Sequence, residues 1–494
     1  MDRSDNSPSI DRRAVLAGFG AMSLMPAELA QAQTQTTAQP AKAGASIRQT
    51  LAEFVAGFDL RQVPADVVEL ARKAFVDSIG VAVAGSHQEV AHIAVEMVKL
   101  EGAAAKCSVI GNALRTSTQL AAFANGVSLH AMDYDFTYMN GQSVAPVLPA
   151  LLAVAETTGA SPSDVLGAFI VGCELSARIG RASPGLGNQG GWHITGVVGG
   201  ICATAACAKL MKLPVEQIAQ ALGISISMSS GIAVNYGTMT KPLHCGNAAR
   251  NGVMAAYLAS KGFTSHVSAF EGNNGFYFSY GRGAAPDRAP FADLGQRWDL
   301  KEMGYSIKNY PCGGRGHTAI EAALILREKV AARLGEIANI HCWMSPSSAK
   351  RVNTNYPVDV EAAKFSAAYV LAWSLVHGTP KIASFTPEAL KDTRVRAMAG
   401  LVTAGADPKL SDAFGESPTR VRITLKDGQS FEHQRDYSTG SKQIPMTQTQ
   451  IEEKFMDCAT QTIDAATARK LFALVNNIME RPNFAEFWAL AAKA

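Results

Sequence analysis

Asn235-Tyr-Gly-Thr-Met-Thr-Lys241-Pro-Leu-His244-Cys-Gly-Asn-Ala-Ala-Arg250 joins a turn-forming, polar segment to a helix. Gly237, Gly246 and Pro242 bracket Lys241 and His244, which predicts a sharply bent loop carrying the two titratable side chains that precede Arg250. Directly afterwards Ala248, Gly252, Ala255, Ala256 and Ala259 recur at helical spacing. That predicts a helix with a small-residue face, ending near Gly262 and able to approach a neighbour closely. A rigid helix would then hold a reactive loop. Taken singly, Lys241 also reads as a solvated lysine and His244 as a hydrogen-bonded packing histidine.

Upstream, apolar positions three and four apart mark helices over 67–83, 92–100, 118–129, 147–155 and 165–179. Glycines and alanines inside or beside these segments imply tight helix packing, so 47–272 reads as one all-helical domain. Past residue 273 the texture changes to Gly-rich turns, β-like runs at 337–344 and 420–425, and a hairpin signal at Lys426-Asp427-Gly428. Residues 273–444 therefore read as an α+β lid. From 445 to 494 helices resume, the first opened by a Thr447/Gln450 capping box. The expected fold is mainly α, with a large helical domain built from both chain ends, a smaller inserted α+β lid, and a cleft between them.

The first 46 residues carry a different signal. Arg12-Arg13 is followed by the apolar run Ala14 to Met25 and by Ala30-Gln31-Ala32. This is the pattern of a twin-arginine export signal over 1–32, with a polar linker over 33–46. The apolar run is too short to span a bilayer, so cleavage and a periplasmic location are expected, without stable membrane insertion. A net charge of +3 with no long basic run excludes nucleic acid as the expected partner and leaves small molecules. The eight cysteines show no Cys-x-x-Cys spacing, which argues against a sequence-local zinc or iron–sulfur site.

Four further clusters carry chemistry-bearing residues. His130-Ala-Met-Asp133-Tyr-Asp135-Phe-Thr137 places two carboxylates in a short polar segment, a means of splitting their pKa values and also a common loop composition. Gly190-Gly-Trp-His193 sets a histidine at a helix entrance. Lys308-Asn-Tyr-Pro-Cys-Gly-Gly-Arg315-Gly-His317 gathers three basic side chains among turn-formers, where a carboxylate or phosphate would fit. Tyr369 sits on a predicted helix over 362–376.

In their order and spacing, the Asp133–Thr137, Gly-Trp-His193 and Gly-Thr-x-x-Lys241-x-Leu-His244 segments resemble the MmgE/PrpD family. That family includes 2-methylcitrate dehydratase, cis-aconitate decarboxylase and iminodisuccinate epimerase. The resemblance implies a homodimer and chemistry without metal or organic cofactor. It also implies active-site positions at Asp133, Thr137, His193, Lys241, Lys308 and Tyr369. Two departures accompany it: Phe136 stands where the family has a second Asp, and Gln142 where it has a histidine implicated in acid–base work. An amide cannot exchange a proton near neutral pH, although it can orient a carboxylate. The expected assignment is Asp133, Lys241, His193 and Thr137 as catalytic and Lys308, Tyr369, Gln142, His244 and Arg315 as substrate-binding. The expected activity is a carbon–oxygen lyase that dehydrates a small polycarboxylate, with an epimerase or a non-catalytic carboxylate-binding protein as alternatives.

Overall fold

The computed structural model describes residues 46–492 except 140, 184, 187–189 and 414; the expected signal over 1–32 and all but the last residue of the linker lie outside the described residues. The chain is mainly α-helical. The first helices are α1 (Ile47–Gly57), α2 (Ala65–Gly85) and α3 (Glu89–Glu101). A short hairpin, β1 (Cys107–Val109) and β2 (Asn112–Thr116), follows and was not anticipated by the helical pattern. Next come α4 (Thr118–His130), α5 (Val147–Thr158), α6 (Pro162–Arg181), α7 (Ile194–Val197), α8 (Gly199–Leu210), α9 (Val215–Ser227) and α10 (Thr240–Ser260). Helix starts are fixed by side chains: Ser117 accepts from the Leu120 amide, and Ser161 with Asp164 forms a capping box.

Helices α4 and α10 cross where each has a glycine. A Cβ added to Gly126 would lie 2.9 Å from Gly246 Cα, and one added to Gly246 would lie 2.6 Å from Val127 and 2.7 Å from the Phe123 carbonyl. The small-residue face of α10 is therefore spent on α4 and, through Gly252, on Ala203 of α8. The expected bend at Pro242 is corrected here. Lys241 and His244 lie in the first turns of α10, because a proline in the opening turn has no intrahelical amide to lose.

The second core begins at Tyr310. It contains α11 (His317–Val330), β3 (Ile337–Met344), α12 (Ala367–His377), β4 (Val402–Ala406), β5 (Thr419–Leu425) and β6 (Ser430–Arg435). The sheet order is β4-β3-β5-β6, with β3 parallel to β4 and antiparallel to β5. Ile340, Cys342, Met344, Val421 and Ile423 are buried and share a core with residues of α11 and α12. Gly428, at φ +88, makes the β5–β6 turn that the sequence signals. The lid boundary expected at 273 moves: Phe276, Tyr277, Phe291, Leu300 and Ile307 are buried in the helical core, not the α+β one.

The chain closes with α13 (Gln448–Ala459), α14 (Ala465–Asn476) and α15 (Ala485–Ala491), whose apolar residues belong to the first core. Thr447 and Gln450 form the capping box of α13. On the same helix Lys454 pairs with Asp77 of α2 at 2.6 Å and donates to the Tyr134 carbonyl at 2.9 Å. The carboxy-terminal return thus reaches the loop that follows α4.

Candidate active site

The loop after α4 holds Asp133 in the left-handed region at φ +51, a conformation that costs a non-glycine residue free energy. Three buried ammonium groups hold this loop by its carbonyls. Lys364 donates to Ala131, Lys308 to Asp133 and Lys454 to Tyr134. Each comes from a different part of the chain, so the strained turn is over-determined by distant elements.

The Asp133 carboxylate is 5% exposed and accepts from both sides. Lys241 Nζ stands 2.7 Å from Oδ1, Lys308 Nζ 2.9 Å from Oδ2, and Gln142 Nε2 donates to Oδ1 at 3.0 Å. Burial alone would raise this carboxyl. The ammoniums of Lys241 and Lys308, with His130, outweigh burial and hold it far below the usual carboxylate range. Lys241 Nζ also reaches His130 Nε2 at 2.9 Å, and His130 Nδ1 reaches the Asp135 carboxylate at 3.0 Å. His130, Asp133 and Asp135 bring ligand-type atoms within 4.8 Å of one another. The cation held by His130 and Asp133 is the Lys241 ammonium.

His193 caps α7 and its amide donates to the Gly231 carbonyl at 3.0 Å. Its Nδ1 lies 2.9 Å from His244 Nδ1, its ring stacks on His130 at 5.6 Å between centroids, and Tyr236 meets it edge-on at 5.0 Å. Burial and then the neighbouring positive charge of Lys241 push His193 well below the usual imidazole range. Burial, His130 and Lys241 push His244 down to about 4. Both rings are neutral at pH 7.

These groups face a cavity of about 240 Å³ at the seam of the two cores. It is lined by Asp133, Thr137, Gln142, His193, Lys241, Lys308 and Arg315, among others. Its charged lining is Lys241, Lys308, Arg315, Arg351, Lys364 and Lys442 against Asp133, Glu416 and Asp436, an excess of cations suited to a small polyanion. Arg315 is fixed by donating to the Glu416 carbonyl and Ser417 Oγ, each at 3.0 Å. Burial and the nearby Arg351 lower it to about 10, so it remains charged.

Seven of the nine expected positions thus line one cavity. His244 stands behind His193 and is not among the lining residues. Tyr369 is corrected: it is fully buried in the second core, its hydroxyl donates to the Ser384 carbonyl, and it does not line the cavity. Its helix starts only at Ala367, with Ser366 as cap. We expect Tyr369→Phe to leave turnover within about threefold while costing about 1–3 kcal/mol, because the Ser384 carbonyl loses its donor. Parallel kinetics and urea unfolding check this, and a large loss of turnover with unchanged stability would restore Tyr369 to the site.

Beyond the nine assigned positions, the structure brings in His130, Asp135, His317 and Lys364, of which the sequence flags Asp135 as a paired carboxylate and His317 within a basic cluster. His317 is buried, lines the cavity, and is pushed down to about 3 by burial and Lys308. The His130-x-x-Asp133-x-Asp135 spacing was the available signal for the first two. Phe136, where the resemblance leads one to expect a second Asp, packs against Phe169 and Tyr305 in the first core.

The chain is mainly α, with a cation-rich cavity around a buried carboxylate at the seam of its two cores. The chain belongs to the MmgE/PrpD family: residues 49–289 match its N-terminal domain and 310–479 its C-terminal domain. It is 28% identical to human cis-aconitate decarboxylase over 446 residues, covering 88% of this chain and 92% of that one. It is also 28% identical to an Aspergillus terreus cis-aconitate decarboxylase over 469 residues, covering 89% and 94%. A mitochondrial 2-methylcitrate dehydratase of Yarrowia lipolytica is 23% identical over 427 residues, 80% of each chain.

Proposed function

We propose that the protein is a lyase acting on a small tricarboxylate, in which Lys241 exchanges a proton at a carbon next to a carboxylate. The observation that carries this reading is the placement of the Lys241 ammonium in the cavity wall between Asp133 and His130. Asp133 bonds two ammoniums and an amide and is a poor base, so its part is to anchor the cations. Proton transfer then falls to Lys241. Lys241 and Lys308 stabilise the negative charge that develops on the substrate's carboxylate, and His193 adds a hydrogen bond.

The relatives favour carbon dioxide over water as the leaving group. In that reaction a carbon–carbon bond breaks, its electron pair is held as a carbanion conjugated with a remaining carboxylate, and Lys241 returns a proton to carbon. Dehydration of a methylcitrate-like acid is the second reading. Gln142, which replaces the histidine expected in decarboxylase-like members, favours it.

Proton NMR in heavy water on the purified protein tests both. Decarboxylation of cis-aconitate with deuterium at the new C–H position supports the first, and an olefin formed from 2-methylcitrate supports the second. Inversion or exchange without either product transfers the protein to the isomerases. Tight binding without any reaction sinks the lyase reading. From the Arg12-Arg13 pattern and the family resemblance we further propose a periplasmic homodimer, which cell fractionation and size-exclusion chromatography would check. No helix among the described residues is long and apolar enough to cross a membrane.

A further inference from the structure

His130 and Asp135 are each 1% exposed and neither lines the cavity. A merely structural pair would need nothing from Lys241, yet the Lys241 ammonium is 2.9 Å from His130 Nε2 and the Asp135 oxygens are 3.0 and 3.1 Å from His130 Nδ1. These partners fix the tautomer. An ammonium offers only donors and a carboxylate only acceptors, so the neutral ring carries its hydrogen on Nδ1 toward Asp135 and turns the Nε2 lone pair to Lys241. Burial and the Lys241 charge hold His130 below its ordinary value. The other titratable groups near the ring are Asp133, the stacked and neutral His193, and His244.

We propose that Asp135 and His130 form a buried relay through which Lys241 sheds and regains its proton, so that Lys241 serves as a base as well as an acid. In the shedding step the N–H bond of the Lys241 ammonium breaks and an N–H bond forms at His130 Nε2. The products are a Lys241 amine and an imidazolium held against the Asp135 carboxylate, with the charge of the cluster unchanged. The amine then takes a proton from a carbon beside a substrate carboxylate, and in the reverse sense the imidazolium reloads it. The geometry follows the logic by which a carboxylate orients an imidazole that accepts a proton from the group doing the chemistry. His130 and Asp135 are thus positioning residues that act through Lys241.

The inference rests on Lys241 being the proton-transfer group of the proposed lyase, and its test is chosen to stand apart from turnover. Amines react with acetic anhydride only when unprotonated. The labelling rate of Lys241 between pH 7 and 9 therefore reads how readily it loses its proton, with exposed Lys391 as the internal standard. Asp135→Asn removes the charge that stabilises the imidazolium, and His130→Gln removes the acceptor of the proton while keeping a hydrogen-bonding amide. His130→Gln should slow Lys241 labelling by about tenfold with Lys391 unchanged, whereas Asp135→Asn, which also removes a negative charge near the ammonium, is read through carbon-proton exchange alone. Exchange of carbon-bound protons in heavy water should fall by about 10²–10³-fold in both. Unchanged Lys241 labelling in His130→Gln overturns the relay even if turnover falls, since that pattern is structural. If Asp135→Asn unfolds, accelerated labelling of buried Lys454 reveals it and His130→Gln decides. If the wild type processes no tricarboxylate, the lyase reading fails while the labelling comparison still judges the relay.

Discussion

Lys241→Met should abolish turnover, lowering kcat by about 10⁴-fold or more, while the protein stays folded. Two separate effects are removed together: a positioned proton carrier, worth about 10²–10⁴, and a cation aimed at the developing charge, worth about 10²–10³. The stability cost is limited by what remains around Asp133. Lys308 still pairs with Oδ2 at 2.9 Å and Gln142 still donates to Oδ1 at 3.0 Å, so the buried carboxylate is not left alone. Methionine fills most of the lysine's volume without a charge. Rate measurements with the tricarboxylate that the wild type accepts, alongside circular dichroism and thermal unfolding, check the outcome. A variant that retains more than about a hundredth of the wild-type rate would be too fast for a protein that has lost its proton carrier, and would move the chemistry to His193.

The helical framework was legible because its signals are local. The 118–129 periodicity became α4, and the Thr447/Gln450 box opened α13 as its chemistry dictates. Where signals conflicted, local reading chose wrongly. Pro242 reads as a breaker, yet at the opening turn of α10 it costs nothing, and so Lys241 projects from a rigid helix instead of a loop. The site was legible as residue types and less so as an arrangement. Lys241 and His130 are 111 positions apart, and only the fold makes the ammonium a partner of that ring. Tyr369 failed for the same reason in reverse. A tyrosine on a helix gives no hint of which face is buried, and here its hydroxyl serves Ser384 in the second core. The lid boundary failed because Phe276 and Tyr277 sit among glycine-rich turns that hide their place in the first core.

Gly246→Ala is expected to damage the site without touching any of its side chains. One methyl group at this position must enter space held by Val127 at 2.6 Å and by the Phe123 carbonyl at 2.7 Å, and backbone cannot move aside as a flexible side chain can. Helices α4 and α10 must separate or slide. The last residue of α4 is His130 and the second of α10 is Lys241, so the crossing that Gly126 and Gly246 make possible also sets the 2.9 Å distance between those two groups. Helix propensity favours alanine over glycine by about 1 kcal/mol, so a stability gain is the outcome if the crossing has slack. Overpacking instead predicts a net loss of about 1–3 kcal/mol. A shift of about an ångström at Lys241 further predicts a kcat lower by about 10²-fold. Gly200→Ala is the matched control. Its added methyl group would meet Ala248 at 3.7–3.9 Å, ordinary contact, and should leave both quantities near wild type or slightly raise stability. Urea unfolding and steady-state kinetics on the two variants distinguish the cases. Equal behaviour of Gly246→Ala and Gly200→Ala would mean that the glycine crossing does not set the position of Lys241.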